Sequence, residues 1–536
     1  MQGLELLVVL GVTILVGGFI ADKIRVAPPV VWLVLGGGLG FVPVLGNVTL
    51  PPTVVLLLFL PALLYWESLN TSLREIRANL RTIALLATGL VFATAVVVAV
   101  VGHSFGMPWA VAIALGAILA PTDATAVSGV AGTLPRRTLT TLRAESLIND
   151  GTALTLFAVA VAAATSGTAV ALGPAALQFV ASYGIGIAIG LAVGFGVGFL
   201  RRFLHDKHLE NALSVVTPFL AYLPAEAVGV SGVVAVVACG LLMSQSGPKV
   251  ISAHSRVQGH GFWEVATYLL NASLFVLLGL EFHSVLANLG GRDLGRTAAL
   301  SALVIVAVIV MRIVWTNTVP YVIRIVDRRP AQRERRVAWR QRTPTAWAGF
   351  RGAVSLAAAL SLPAETAGGH PFPFRDLIIA ATFAVILVTL IVQGLSMPAV
   401  IRFAQLPEDP TESDELLLAE RTAVEGALAQ LDDIADELGT STEARDAVRS
   451  SLQEDLERFD RSEEAAGDDS TEEEQADQQA RLHLRLLAVR RDAIVALRDE
   501  RHIDDVVLRR LQSRLDVEEI RLAEVEEDDD EHDDKN

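Results

Sequence analysis

The chain has 536 residues, is 52% hydrophobic and has a mean hydropathy of +0.48, too apolar for an ordinary soluble protein of this length. Its net charge of −16 divides sharply: residues 405–536 hold 42 Asp+Glu and 16 Lys+Arg, a net of −26, against 17 acids and 27 bases, a net of +10, in residues 1–404. Cys239 is the only cysteine, which excludes an intrachain disulfide and argues against a Cys-built metal site.

Apolar runs near the roughly 20 residues that a helix needs to cross a bilayer recur through the first part. In chain order they are 3–20, 28–46, 52–67, 82–102, 108–132, 139–165, 174–200, 209–224, 228–244, 262–283, 296–323, 343–362 and 374–402, about thirteen spans. The first is read as a retained span, not a signal peptide, because Glu5 precedes the apolar run and no Ala-x-Ala site stands before Asp22. The loops check the count. Every second one is basic: Lys23 and Arg25; Arg74 and Arg77; Arg136 and Arg137; Arg201, Arg202 and Lys207; Lys249 and Arg256; and the Arg-dense stretch 324–342. The loops near 47–51, 103–107, 166–173, 225–227 and 363–373 carry almost no Lys or Arg, with Arg292 and Arg296 as the one blemish. The positive-inside rule then sets the N-terminus outside and the acidic tail in the cytoplasm of a multi-pass protein.

Two acidic motifs lie inside these spans, Ala120-Pro121-Thr122-Asp123 and Glu145-Ser146-Leu147-Ile148-Asn149-Asp150-Gly151. A carboxylate at membrane depth needs a charged or protonated partner. Pro121 breaks a helix and frees backbone carbonyls where no water is available. Ser146 and Asp150 share one helix face, and Glu145 and Asn149 the adjoining one. Freed carbonyls, a hydroxyl and a carboxylate are the oxygen ligands of a small hard cation, which points to a cation carrier. A second interrupted segment, Trp347-Ala348-Gly349-Phe350-Arg351-Gly352-Ala353, lies seven spans later and therefore in the opposite orientation. That is the arrangement of inverted-topology repeats, here spans one to six and eight to thirteen.

These motifs, in this order, resemble those of the monovalent cation:proton antiporters of the sodium/proton exchanger family. Phe59-Leu60-Pro61-Ala62-Leu63-Leu64 followed by Glu67 resembles the family's third-span signature, and the likeness covers most of residues 1–404. The resemblance implies an all-α polytopic fold, with a six-helix ion-carrying core within 82–165 and 296–402. The scaffold and dimerisation spans would then lie within 3–67 and 174–283 of a homodimer. It implies that Asp150 carries cation and proton in turn, that Thr122 (through its carbonyl) and Ser146 help ligate the ion, and that Glu145 and Arg351 pair to brace the site. Asn149 stands where an electrogenic branch has Asp, which implies electroneutral exchange at the cell membrane, in the service of pH homeostasis and sodium transport.

The charges give the same answer physically. Asp123, Glu145 and Asp150 face Arg312 and Arg351 within the core, which leaves one carboxylate unmatched. In a low-dielectric site it either takes a proton or binds a cation, and that competition is itself an exchange mechanism. Asp150 is the expected exchangeable group, with Arg312 assigned to Asp123 on depth and sign. Blander roles compete. Asp123 could cap the helix after Pro121 or touch the ion; Ser146 could bond the carbonyl one turn back. Glu67 fits a solvated helix end, Glu281 and His283 an interfacial cap, and the glycines at 184–198 close helix packing.

Residues 405–536 read as an acidic, mostly helical cytoplasmic domain with a disordered linker near 462–475. The helical part near 481–524 resembles tails on bacterial members of the same family, and Glu526 to Asn536 is an acidic run. The acidity of this segment argues against nucleic acid or anionic lipid as its partner, and makes contact with the basic loops, including 324–342, electrostatically reasonable. An intramembrane aspartyl protease would also hold Asp123 and Asp150 on neighbouring spans, but the stretch before Asp150 lacks the Gly-x-Gly-Asp of that class. A channel would need a filter of many carbonyls or a ring of charge. No phosphate loop ending in Gly-Lys-Ser/Thr appears, so transport is not driven by ATP. No enzymatic activity and no cofactor are expected beyond the transported cation and proton. Sodium, lithium and potassium stay open, since oxygen sites for them differ by fractions of an ångström.

Overall fold

Hydrocarbon offers backbone N–H and C=O groups no partner, so an apolar run at membrane depth must close its own hydrogen bonds as a helix. A computed structural model describes residues 3–24, 26–42, 54–78, 83, 85–123, 134–166, 172–204, 206–251, 253–288, 294–326, 338–406 and 411–465, with scattered positions from 486 to 515. Among these, helices dominate and the extended backbone reduces to one isolated bridge, Glu365 with Pro371. The chain divides into two compact units, Met1–Asp409 and Pro410–Asn536.

In the first unit the segments are α1 (Gly3–Ile24), α2 (Pro28–Gly40), α3 (Leu60–Leu69, entered through a π-helical turn Val55–Phe59), α4 (Leu90–Ser104), α5 (Trp109–Leu119) and α6 (Arg136–Ser166). They continue with α7 (Leu172–Arg201), α8 (Lys207–Ala227), α9 (Gly232–Val250), α10 (Ala253–Asn288) and α11 (Leu294–Val326). Next come the half-helices α12 (Thr343–Trp347) and α13 (Ala353–Leu360), then α14 (Arg375–Val388), joined by a π-helical turn Thr389–Gln393 to α15 (Gly394–Ala404). With α12 and α13 counted as one interrupted segment, and α14 and α15 as another, the expected thirteen spans each have a helical counterpart among the described residues. Seven of these helices are long and apolar enough to cross a membrane by themselves, and four more are apolar but shorter.

Burial sorts the helices. In α5 every residue from Val111 to Leu119 except Ile113 is buried, so this helix is interior on all sides. In α1, Leu7, Val12, Leu15 and Phe19 are exposed, an apolar surface suited to lipid or another chain. One apolar cluster joins α4, α5, α11, α13 and α14 through Val98, Leu115, Val304, Ala359 and Val385. A second joins α1, α2 and α10 to the segment around Phe350. A Cβ on Gly36 would collide with the Val276 carbonyl and one on Gly279 with the Leu33 carbonyl, so the crossing of α2 and α10 depends on both glycines. Gly186, Gly190 and Gly194 likewise abut α9, at Ser231, Ala235 and Leu242, which supports the packing reading of the 184–198 run. Glu281, expected as an interfacial cap, is 5% exposed and seven residues inside the end of α10; the His283 side chain lies outside what is described.

The second unit contains a helical hairpin, α16 (Thr411–Leu438) and α17 (Thr442–Ala465). Gly439 turns it at φ +62°, where a side chain would be strained. Arg449 to Asp432 at 2.6 Å and Arg445 to Asp432 at 3.4 Å pair across the two helices. Because α17 runs to Ala465, the first four residues of the linker expected near 462–475 are helical. Residues 466–475, most of 476–524 and the acidic end 526–536 lie outside the described residues.

Candidate ion-binding site

The end of α5 and the interrupted helix α12–α13 make the site. Arg351 Nε donates to the Leu119 carbonyl at 3.0 Å, at the end of α5 just before Pro121, and Arg351 Nη1 bonds the Gly349 carbonyl. A cation there also answers the negative end of the α5 dipole. The partner break is tied back by the Asp123 N–H donating to the Phe350 carbonyl at 2.9 Å. The Asp123 carboxylate lies against Gly352, the N-cap of α13, where negative charge suits a helix N-terminus. Each interruption thus supplies the charge that the other's half-helix needs.

Asp123 explains the glycine. At Gly352 φ is −123°, which any residue tolerates, but a methyl group would fall on the Asp123 carboxylate. Gly352→Ala is therefore expected to displace Asp123 and slow transport on the order of 10- to 100-fold, with folding retained. Proton flux in proteoliposomes measures this; an unchanged rate would remove Asp123 from the working geometry.

Around this crossing the second acidic motif folds in. Ser146 Oγ donates to the Thr122 carbonyl at 2.9 Å. The two expected neutral ligands therefore already touch. Asn149 Nδ2 donates to Thr122 Oγ1 at 2.8 Å, and that hydroxyl reaches Glu145 Oε1 at 3.4 Å. Asn149 thus holds the Thr122 side chain beside Glu145.

The expected Glu145–Arg351 pair does not form. Glu145 is held by Arg312, with Nη1 to Oε1 at 2.5 Å and Nη2 to Oε2 at 3.3 Å, and both side chains are at most 2% exposed. Arg312 Nε also donates to the Thr345 carbonyl at 3.2 Å, fastening α12 to the pair. The reason is local: the carbonyls freed at the two breaks lie beside Arg351 and take its donors, whereas Arg312 reaches α6 from α11. Arg312 is accordingly not the partner of Asp123.

With Glu145 neutralised, Asp150 has no hydrogen bond or ion pair among the described residues. It is 6% exposed and lines a cavity of about 50 Å³ with Ser146, Thr122 and Asp123. Leu60, Leu63, Leu64 and Phe275 form apolar walls, while Asn271, Ser355 and Glu67 add polar groups. That volume admits an ion with some of its water. Glu67, expected as a solvated helix end, is half-buried and faces this cavity. A signal was present: positions 60, 63, 64 and 67 form one helical face, and all four line the cavity. Nothing in the sequence marked Asn271 or Ser355.

A sequence model of the family described as "Sodium/hydrogen exchanger, transmembrane" matches residues 11–403. The chain is 47% identical over 528 residues to an uncharacterized Na(+)/H(+) exchanger of Mycobacterium tuberculosis, covering 97% of this chain and 96% of that one. It is 31% identical over 441 residues to the Na(+)/H(+) antiporter ApNhaP of Aphanothece halophytica, covering 80% of each. Its fold is similar to that of the sodium proton antiporter MjNhaP1 from Methanocaldococcus jannaschii, with a TM-score of 0.59 at 17% identity, covering 76% of this chain and all of that one.

Proposed function

Because the chain belongs to the sodium/hydrogen exchanger family, and so is a multi-pass membrane protein, we propose that it exchanges sodium ions for protons across the cell membrane by alternating access to Asp150. The observation that carries this is the Asp150 carboxylate, without an ion pair among the described residues, in a cavity it shares with the Ser146–Thr122 ligand pair. A carboxylate so placed is neutralised by a proton or by a cation, and only a neutralised site crosses the low-dielectric barrier readily. Thr122 and Ser146 supply neutral oxygens to the cation, and Asp123 and Glu67 add carboxyl groups to the cavity wall. The Glu145–Arg312 pair and Asn149 keep Thr122 in place, and Arg351 closes the break.

In this reading α4–α6 and α11–α15 are the moving core of two inverted repeats, and the other helices form the scaffold of a homodimer. The N-terminus lies outside and the acidic unit in the cytoplasm, following the basic loops. Sodium is chosen because the names of the relatives carry it, and fluxes driven by sodium, lithium and potassium in turn test that choice. Sodium is expected to give the largest proton flux; a larger response to potassium would reassign the substrate.

Stoichiometry turns on Asn149, which carries no charge beside Asp150. One proton then exchanges for one cation, and no net charge moves. A membrane potential imposed on proteoliposomes, by valinomycin and a potassium gradient, is expected to leave sodium-driven proton flux nearly unchanged. Strong, reversible voltage dependence would make Glu67 or Asp123 a second proton carrier.

A further inference from the structure

At the ends of α11 and α15, on the side read as cytoplasmic, three large aromatic side chains stand in the open. Trp339 is 60% exposed, Tyr321 55% and Phe403 47%. Arginines are laid on them. The Arg340 guanidinium sits 4.8 Å from the centre of the Phe403 ring, and Arg342 sits 5.9 Å from that of Tyr321. The Trp339 ring centre lies 6.2 Å from that of Phe403, and Arg402, the residue before Phe403, is exposed.

The depth of this cluster is fixed by helix length. Residues Arg375–Ala404 form a run of 30, which at 1.5 Å per residue spans about 45 Å. The hydrocarbon core takes about 30 Å of that and the headgroup layers bring the total to about 40–45 Å, so Phe403 lies among headgroups. Tyr321 occupies the same level near the end of the apolar run Gly295–Val322. The stretch 324–342 holds eight arginines and two acids. A guanidinium resting on a ring loses little freedom on binding, and its N–H edge matches phosphate oxygens.

We infer that Trp339, Arg340, Arg342 and Arg402, with Phe403 and Tyr321, form a binding site for the phosphodiester headgroup of an anionic lipid in the cytoplasmic leaflet. The aromatic rings are placed for the lipid interface and the arginines for its phosphate. The site has mechanical reach. Arg340–Arg342 is a single 3-10 turn that runs directly into α12, and Trp347 at the end of α12 donates through Nε1 to Ser396 Oγ of α15 at 2.8 Å. A lipid bridging this turn to the end of α15 steadies the half-helix that leads to Arg351 and Gly352. Anionic lipid therefore favours transport.

The test uses full-length protein and the double variant Arg340→Gln with Arg342→Gln, reconstituted in phosphatidylcholine vesicles with increasing phosphatidylglycerol. Wild-type proton flux is expected to rise with phosphatidylglycerol, and the double variant to need about tenfold more of it for the same rise. The two proteins are expected to transport equally in phosphatidylcholine alone. Both experience the same vesicle surface charge, so an equal response would overturn the inference. If the variant is faster in phosphatidylcholine alone, the arginines hold the acidic tail and not lipid, and the inference also fails. Stimulation of wild type by millimolar inorganic phosphate would likewise reject a lipid site in favour of free phosphate. A second readout needs only wild type: in detergent, phosphatidylglycerol is expected to raise the melting temperature more than phosphatidylcholine does, and equal shifts count against the site.

Discussion

Asp150→Asn is expected to reduce sodium-driven proton flux in proteoliposomes to background while leaving the protein folded. Asn keeps the size and hydrogen-bonding capacity of the side chain and removes the charge that cation and proton share. The expected effect on stability follows from the surroundings. Asp150 has no ion pair among the described residues, so its neutralisation strands no opposite charge, and it is 6% exposed, so its ionised form is poorly solvated. The melting temperature of the variant should equal or exceed that of wild type. Loss of flux with retained or raised stability separates an exchangeable carboxylate from a structural one, whose loss lowers both. Residual flux above a few per cent of wild type would shift the exchangeable role to Asp123 or Glu67, which line the same cavity.

Periodicity and composition reveal some levels of this protein and not others. Spans are legible because each is a local property: twenty apolar residues in a row declare themselves without any knowledge of their neighbours. The helix breaks at Pro121 and around Gly349 were legible for the same reason, and so was the shared face of Ser146 and Asp150. Pairing is a property of three-dimensional approach. Arg312 and Glu145 are separated by 167 positions, and charge counting gave no reason to prefer that pair over Glu145 with Arg351. What decided it was backbone demand: a broken helix exposes carbonyls at the Leu119 end, and the nearest guanidinium, Arg351, is taken by them. Glu67 was missed on a related ground. Near a helix end, solvation and a cavity wall make the same sequence pattern, and only the approach of α6 and the Pro121 segment distinguishes them. The fold of MjNhaP1 bears on the arrangement of helices and is silent about these pairings.

The pairing itself carries the second large effect. Glu145 and Arg312 are both at most 2% exposed and make a two-point contact, so removing either partner leaves a buried charge without its ion-pair partner. Glu145→Gln and Arg312→Gln are each expected to cost about 3–5 kcal/mol, enough to lower the melting temperature markedly and to stop transport. Carrying both changes, the protein should lose much less than the sum of the two, because neither charge is then stranded. A parallel cycle with Arg351 discriminates between the two possible partners. Arg351 spends its donors on the Leu119 and Gly349 carbonyls, so Arg351→Gln should add to Glu145→Gln with smaller coupling than Arg312→Gln shows. Melting temperatures of wild type, the two single variants and the double variant in each cycle supply the measurement. Stronger coupling of Glu145 to Arg351 than to Arg312 would reverse the assignment.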